Sequence, residues 1–216
     1  IWEEHMKGMT FDELQAWNPP YQQYVISDGI LNTGNRLIIY GDNSTWKSWL
    51  TLDMAYHIAN GLPWMGYRTN KTKSYIIQAE ITQPEIRERT SAYAKGNQMS
   101  KDVWISTEPY IKLDKGFGNA ELEKEIVRTG ARVLIIDPFY KFMSGRMTDE
   151  FDVKQFFDRI DTLMPKFGLS IIIVHHPRKT MMVDGIPIDS GSDSIYGTYM
   201  QNWADTIINT STARND

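Results

Sequence analysis

From residue 36 onward the chain alternates short runs of β-branched and aromatic residues with longer segments whose apolar positions recur every three or four residues. The short runs fall at 37–40, 74–79, 103–106, 133–136, 170–174 and 206–209, and they predict six strands. Strands that alternate with helical patterns predict a parallel sheet with crossover helices. In the first helical segment Leu50, Met54 and Ile58 form one stripe that stops at Gly61. The second opens on Thr82-Gln83-Pro84-Glu85, a capping box with Pro near the first turn, and ends at Lys95-Gly96. A third is expected over 120–128 with Gly130 past its end. A fourth over 151–166 carries Val153, Phe156, Phe157, Ile160, Leu163 and Met164 on one broad apolar face. The first stretch of chain, interrupted by Pro19-Pro20 and turned at Asp28-Gly29, shows no such alternation. The expected organisation is an N-terminal arm or lid over 1–30 and one α/β domain over 31–216, mostly parallel with helices on both faces.

Composition narrows the function classes. A length of 216 residues is enough for one large domain with a real core. The net charge of −4 supplies no general positive field, so contact with nucleic acid must come from local loops or from an oligomer's lined channel. No run reaches the roughly 18 apolar residues of a membrane span, and no secretory pattern opens the chain. The absence of cysteine excludes disulfides and thiolate metal sites. The reading is a soluble, cytoplasmic protein with no membrane partner. The chain opens on Ile1 rather than Met and stops at Asp216, and flanking parts of a longer protein are expected.

The stretch RLIIYGDNSTWKSWL changes the picture most. A strand runs through a Gly-led polar turn into Lys47-Ser48 and a helix, in register with G-x-x-x-x-G-K-[ST]. Gly41 is expected to let the turn tighten. Backbone N–H groups across Asn43, Ser44, Thr45, Trp46, Lys47, Ser48 and Trp49 are expected to cradle phosphates, with the helix N-terminus adding positive potential. Lys47 would neutralise the β and γ oxygens of ATP, and Ser48 would hold Mg²⁺. Trp46 breaks the pattern where a second Gly belongs, and would crowd the phosphates unless its ring points away. A strand-to-helix turn with a chance Lys-Ser is the competing reading.

In open parallel sheets ligands bind beyond the carboxyl ends of the strands. There SYIIQAE ends in Glu80, a candidate to polarise the attacking water. RVLIIDPFYKF ends its apolar run in Asp137, one strand away from the phosphate loop and able to hold a water of the Mg²⁺ shell. LSIIIVHHPRK ends in His175-His176, either of which could donate to the γ-phosphate, followed by Arg178 and Lys179. A metal site at this pair is not expected, since adjacent strand residues face opposite sides and no third ligand is near. Arg146, Arg178 and Lys179 are the candidate DNA contacts, on segments 143–150 and 180–198 that look mobile. The seven tryptophans are read mainly as packing.

Taken together, ISDGILNTGNRLIIYGDNSTWKSWLTLDMAYHIANGLPWMG, SYIIQAEITQPEIRERTSAYA, ARVLIIDPFYKF, LSIIIVHHPRK and GSDSIYGTYMQNWADTII resemble the RecA-like P-loop ATPases, and within them the RepA-type hexameric helicases of plasmids and phages. Several members of that group are similar in carrying an aromatic residue before the loop Lys, and the resemblance implies that Trp46 is a tolerated variant. The resemblance implies Lys47 and Ser48 as phosphate and Mg²⁺ ligands, Glu80 as catalytic base, Asp137 as second Mg²⁺ residue, and His176 or His175 as γ-phosphate sensor. It implies that the loops after Asp137 and His176 touch single-stranded DNA. It also suggests Arg214 as a basic finger offered to the adjacent subunit. The function implied is an ATP-hydrolysing, ring-forming hexameric motor on single-stranded DNA in replication. The alternatives are a nucleotide-dependent DNA-binding or assembly module with weak or no hydrolysis, and a recombination mediator forming filaments.

Overall fold

A computed structural model describes residues 8–18, 23–42, 45–108, 110–176, 181–183, 186–188 and 197–211. All six predicted strands form, and they make one wholly parallel sheet. In chain order its members are β3 (Arg36–Gly41), β4 (Ser74–Gln78), β5 (Val103–Thr107), β6 (Val133–Asp137), β7 (Ser170–His175) and β10 (Thr206–Thr210), and in space they run β10-β3-β7-β6-β4-β5. Among the described residues two antiparallel pairs lie outside it, β1 (Tyr24–Ile26) with β2 (Leu31–Asn32), and β8 (Met181–Val183) with β9 (Ile186–Ile188).

The four inner strands are buried because they carry apolar residues on both faces. Leu37 and Ile39 of β3 point into one core with Ile76, Ile135 and Ile172. Ile38 and Tyr40 point into the other with Ile77, Ile136 and Ile173, as a period of two requires. The helix α2 (Lys47–Asn60) covers the first face through Leu52, Met54, Ala55 and Ile58. On the second face lie α4 (Gly116–Thr129), α5 (Glu150–Asp161), α6 (Leu163–Phe167) and α7 (Gly197–Trp203), through residues such as Leu122, Phe156, Leu163 and Met200. Helix α3 (Gln83–Ala94) forms with the capping box expected at Thr82 and Glu85. A short helix α1 (Phe11–Ala16) has its own capping box and no buried residue.

Three expectations change in detail. The fourth helix breaks after Asp161, because Pro165 has no N–H to give the Asp161 carbonyl and its ring crowds that group. Residues Val25 and Ile26, near the end of the stretch read as an arm, are buried in the α2-side core beside Leu31. The segment after Asp137 is anchored rather than loose. Phe142 and Met143 are buried there, and Asp114 accepts hydrogen bonds from the Ser144 N–H at 2.9 Å and hydroxyl at 2.6 Å.

Candidate active site

Register brings the candidate residues to one edge. Tyr40 lies opposite His175, Gln78 opposite Asp137, and Gly41 opposite Thr210. The carboxyl ends of β3, β4, β6, β7 and β10 therefore share a rim, with β7 between the strands that lead to Lys47 and to Asp137.

The loop between β3 and α2 is tied to its own backbone and to β10. Lys47 is buried, and its Nζ donates to the Gly41 carbonyl at 2.6 Å, the Asp42 carbonyl at 2.6 Å and Thr45 Oγ1 at 3.2 Å. Burial pulls its pKa below the usual lysine range, opposed by Asp137, Asp42 and Glu80. Thr45 Oγ1 lies 2.9 Å from Thr210 Oγ1. Gly41 earns its place through that strand. A Cβ there would sit 2.1 Å from Thr210 Oγ1 and 2.2 Å from the Thr210 carbonyl oxygen. Close approach, not a special φ, is the reason for glycine.

Trp46 takes up the backbone that the missing glycine would supply, with φ 64° and ψ 18°. Its ring stands 70% exposed, so it points away from the loop interior. Trp46 is the N-cap of α2 and offers no side-chain cap, and no acidic residue sits in the first turn. The first amides of α2 are thus left without a helical partner. Trp49 lies partly buried under the Arg89 guanidinium, 5.6 Å from the ring centroid.

Across the rim Asp137 is buried, and burial raises its pKa while a hydrogen bond from the Ser48 hydroxyl lowers it. Glu80 stands over the same rim. Tyr140 Oη donates to Glu80 Oε1, and His176 Nε2 lies 3.5 Å from Glu80 Oε2. The His176 hydrogen bond, opposed by burial and reinforced by Tyr140, holds Glu80 below the usual carboxylate range. His175 takes the opposite side of the strand. It is buried with its ring 5.3 Å from that of Phe139, and burial pushes its pKa down to about 3. Of the two histidines, His176 is the one beside Glu80.

Two residues that sequence reading missed complete the rim. Gln78 is buried at the end of β4. Its Oε1 accepts from the N–H groups of Glu80 at 3.1 Å and Ile81 at 2.7 Å, and its Nε2 donates to the Ile81 carbonyl, which fixes the backbone that carries Glu80. Tyr140 reaches Glu80 from the 3₁₀ turn Phe139–Lys141. A polar residue inside an apolar strand was the available signal for Gln78. Arg146 is exposed on the segment after Asp137, its N–H bonded to Asp152 Oδ2 at 2.7 Å. Asn43, Ser44, Arg178, Lys179 and Arg214 lie outside the described residues.

The donor set fits a nucleoside triphosphate with a divalent cation. An uncapped helix start and a buried ammonium that donates to neutral oxygens of the described loop residues suit phosphate, and a Ser hydroxyl facing a buried carboxylate suits Mg²⁺. Among the described residues, no cluster of three or more His, Asp or Glu forms a metal site of its own. No described helix is long and apolar enough to cross a membrane.

A family model of the AAA domain matches residues 3–182. Among solved structures, the fold is similar to that of a KaiC-like protein from Pyrococcus horikoshii OT3, with TM-score 0.55 and 13% identity over 89% of this chain and 78% of that one. It is also similar to the flagellar accessory protein FlaH from Methanocaldococcus jannaschii, with TM-score 0.50 and 19% identity over 85% of this chain and 75% of that one. No curated protein matches the sequence. The likeness in structure is one of fold, the RecA-like α/β fold of P-loop ATPases.

Proposed function

The chain belongs to the AAA domain family, and from that premise we propose that this P-loop ATPase hydrolyses ATP as a ring-forming, hexameric motor on single-stranded DNA, a replicative helicase of a phage or plasmid type element. The observation that carries the hydrolysis is Glu80, a carboxylate of lowered pKa fixed on the same rim as Lys47, Ser48 and Asp137. Lys47 and the first amides of α2 bind the phosphates. Their binding exchanges the Gly41 and Asp42 carbonyls for phosphate oxygens around the Lys47 ammonium. Ser48 and Asp137 would hold Mg²⁺, which would supply neutralising charge at the phosphates. Glu80, ionised at neutral pH, orients the attacking water and takes its proton, a contribution of about 10²–10⁴-fold. His176, next to Glu80, is suited to sense the γ-phosphate.

The finer reading as a helicase rests on the five sequence blocks that resemble the RepA type. It also draws on basic residues Arg146, Arg178 and Lys179, in segments that follow Asp137 and His176. Arg214 is proposed as the finger offered to a neighbouring copy. A second reading, an assembly module that binds ATP and turns it over slowly, is favoured by Trp46 in the loop and by the closed hydrogen-bond set of Lys47. The discriminating experiment is ATP hydrolysis by the purified chain with and without single-stranded DNA, beside Lys47→Ala and Glu80→Gln. Turnover stimulated by DNA and lost in both variants supports the motor. ATP binding without turnover under either condition sinks it in favour of the module, and unchanged hydrolysis in Glu80→Gln removes Glu80 from the base role.

A further inference from the structure

The aromatic run after Asp137 is sorted by its local geometry. Residues three apart in a 3₁₀ turn share a face, and Phe139 and Phe142 are both fully buried in the core beneath the turn. Tyr140 lies between them and so leaves by the other face, toward the rim. Its ring meets His176 edge-on at 6.1 Å between centroids, and its hydroxyl donates to Glu80 Oε1. The turn itself is held from outside, since Lys112 Nζ donates to the Lys141 carbonyl at 2.6 Å.

Glu80 needs such support. Its side chain is 37% exposed and has three rotatable bonds, and Gln78 fixes only the backbone beneath it. His176, from the end of β7, engages one carboxylate oxygen, and Tyr140, from the end of β6, engages the other. Two donors on two different strand ends define the position of a planar group far better than one. We propose that Tyr140 is the positioning residue for Glu80, fixing the carboxylate from the Asp137 side so that it meets the attacking water in one orientation. This rests on the reading of Glu80 as catalytic base. A role of this kind acts on the rate of the chemical step and leaves ATP binding alone, because the Tyr140 hydroxyl bonds to Glu80, while the ring, which is what meets His176, stays in place when only the hydroxyl is removed.

Tyr140→Phe keeps the ring and removes the hydroxyl. The expected result is a kcat for ATP lowered roughly ten- to a hundredfold with KM held, in line with the cost of a misplaced catalytic group. A second measurement reads the contact itself. Tyr140→Phe is expected to lower the Tm by about 2–4 °C, and this loss is expected to vanish when Glu80→Ala is already present. An unchanged kcat, a KM that rises in step with the fall in kcat, or a Tm loss that persists in the Glu80→Ala background would each overturn the assignment, the last by showing a packing role only. Failure of the parent reading looks different. If the wild-type chain shows no turnover, the base role of Glu80 falls and the catalytic role of Tyr140 with it. Normal wild-type turnover with an unaffected Tyr140→Phe overturns the positioning role alone.

Discussion

Trp46 is where the residue scale speaks most directly about function. A bulky residue at φ 64° pays about 1–2 kcal/mol relative to right-handed backbone, so the fold holds it there against its preference. The backbone at Trp46 already has the conformation a glycine would give it, and the indole is largely in solvent. Replacement by glycine should therefore change little at the phosphates. The backbone relief is offset by the larger entropy that glycine loses on folding, about 0.5–1 kcal/mol. For Trp46→Gly the expected outcome is ATP hydrolysis within about threefold of wild type and a Tm within a few degrees, measured by steady-state turnover and thermal melting. A rise in turnover of about tenfold or more would mean that the ring does obstruct the site, and would move the balance to the assembly module.

At the scale of elements, the four inner sheet strands were legible because each is a run of mostly apolar residues buried on both faces, the pattern of a covered parallel sheet. The edge strands β5 and β10, half-buried or alternating with exposed positions, were legible from their β-branched and aromatic residues. The capping box at Thr82 and the glycines that end α2 and α4 were legible for the same kind of reason, a local rule with one local solution. What the sequence hid depends on distant partners. Tyr140 and Glu80 are 60 residues apart, and nothing in either neighbourhood announces the pair. The break between α5 and α6 did have a signal in Pro165, which the strong apolar stripe masked. Gly41 illustrates the limit well, since its identity was readable and its reason was not. The strand β10, far away in sequence, presses Thr210 against the space where a side chain would go. Gly41→Ala is expected to force β3 and β10 apart at a cost of about 1–3 kcal/mol, seen as a lowered Tm. Half the clash is with the Thr210 carbonyl, so adding Thr210→Ala should not restore stability. Full rescue by that second change would show that only the hydroxyl stood in the way.

The whole molecule sets a condition on the proposed partner. With a net charge of −4, a single copy has little to offer a polyanion. The candidate contacts Arg146, Arg178 and Lys179 supply only three positive charges per copy, so useful affinity requires several copies to present them together. Assembly and DNA binding should then be linked, with each promoting the other. Sedimentation of the chain with a labelled single-stranded oligonucleotide, with and without a non-hydrolysable ATP analogue, tests this directly. The expected outcome is that the oligonucleotide moves with a multimer when the analogue is present and stays free when it is not. The affinity should also fall with salt, by a slope of about 0.7 for each phosphate neutralised, and a charge-removing change at Arg146 should reduce that slope. Binding that is equally tight for the monomer, or that ignores salt, would remove the shared basic channel from the account. A multimer that forms with the analogue and leaves the oligonucleotide free would keep the ATP-driven assembly and take away the DNA.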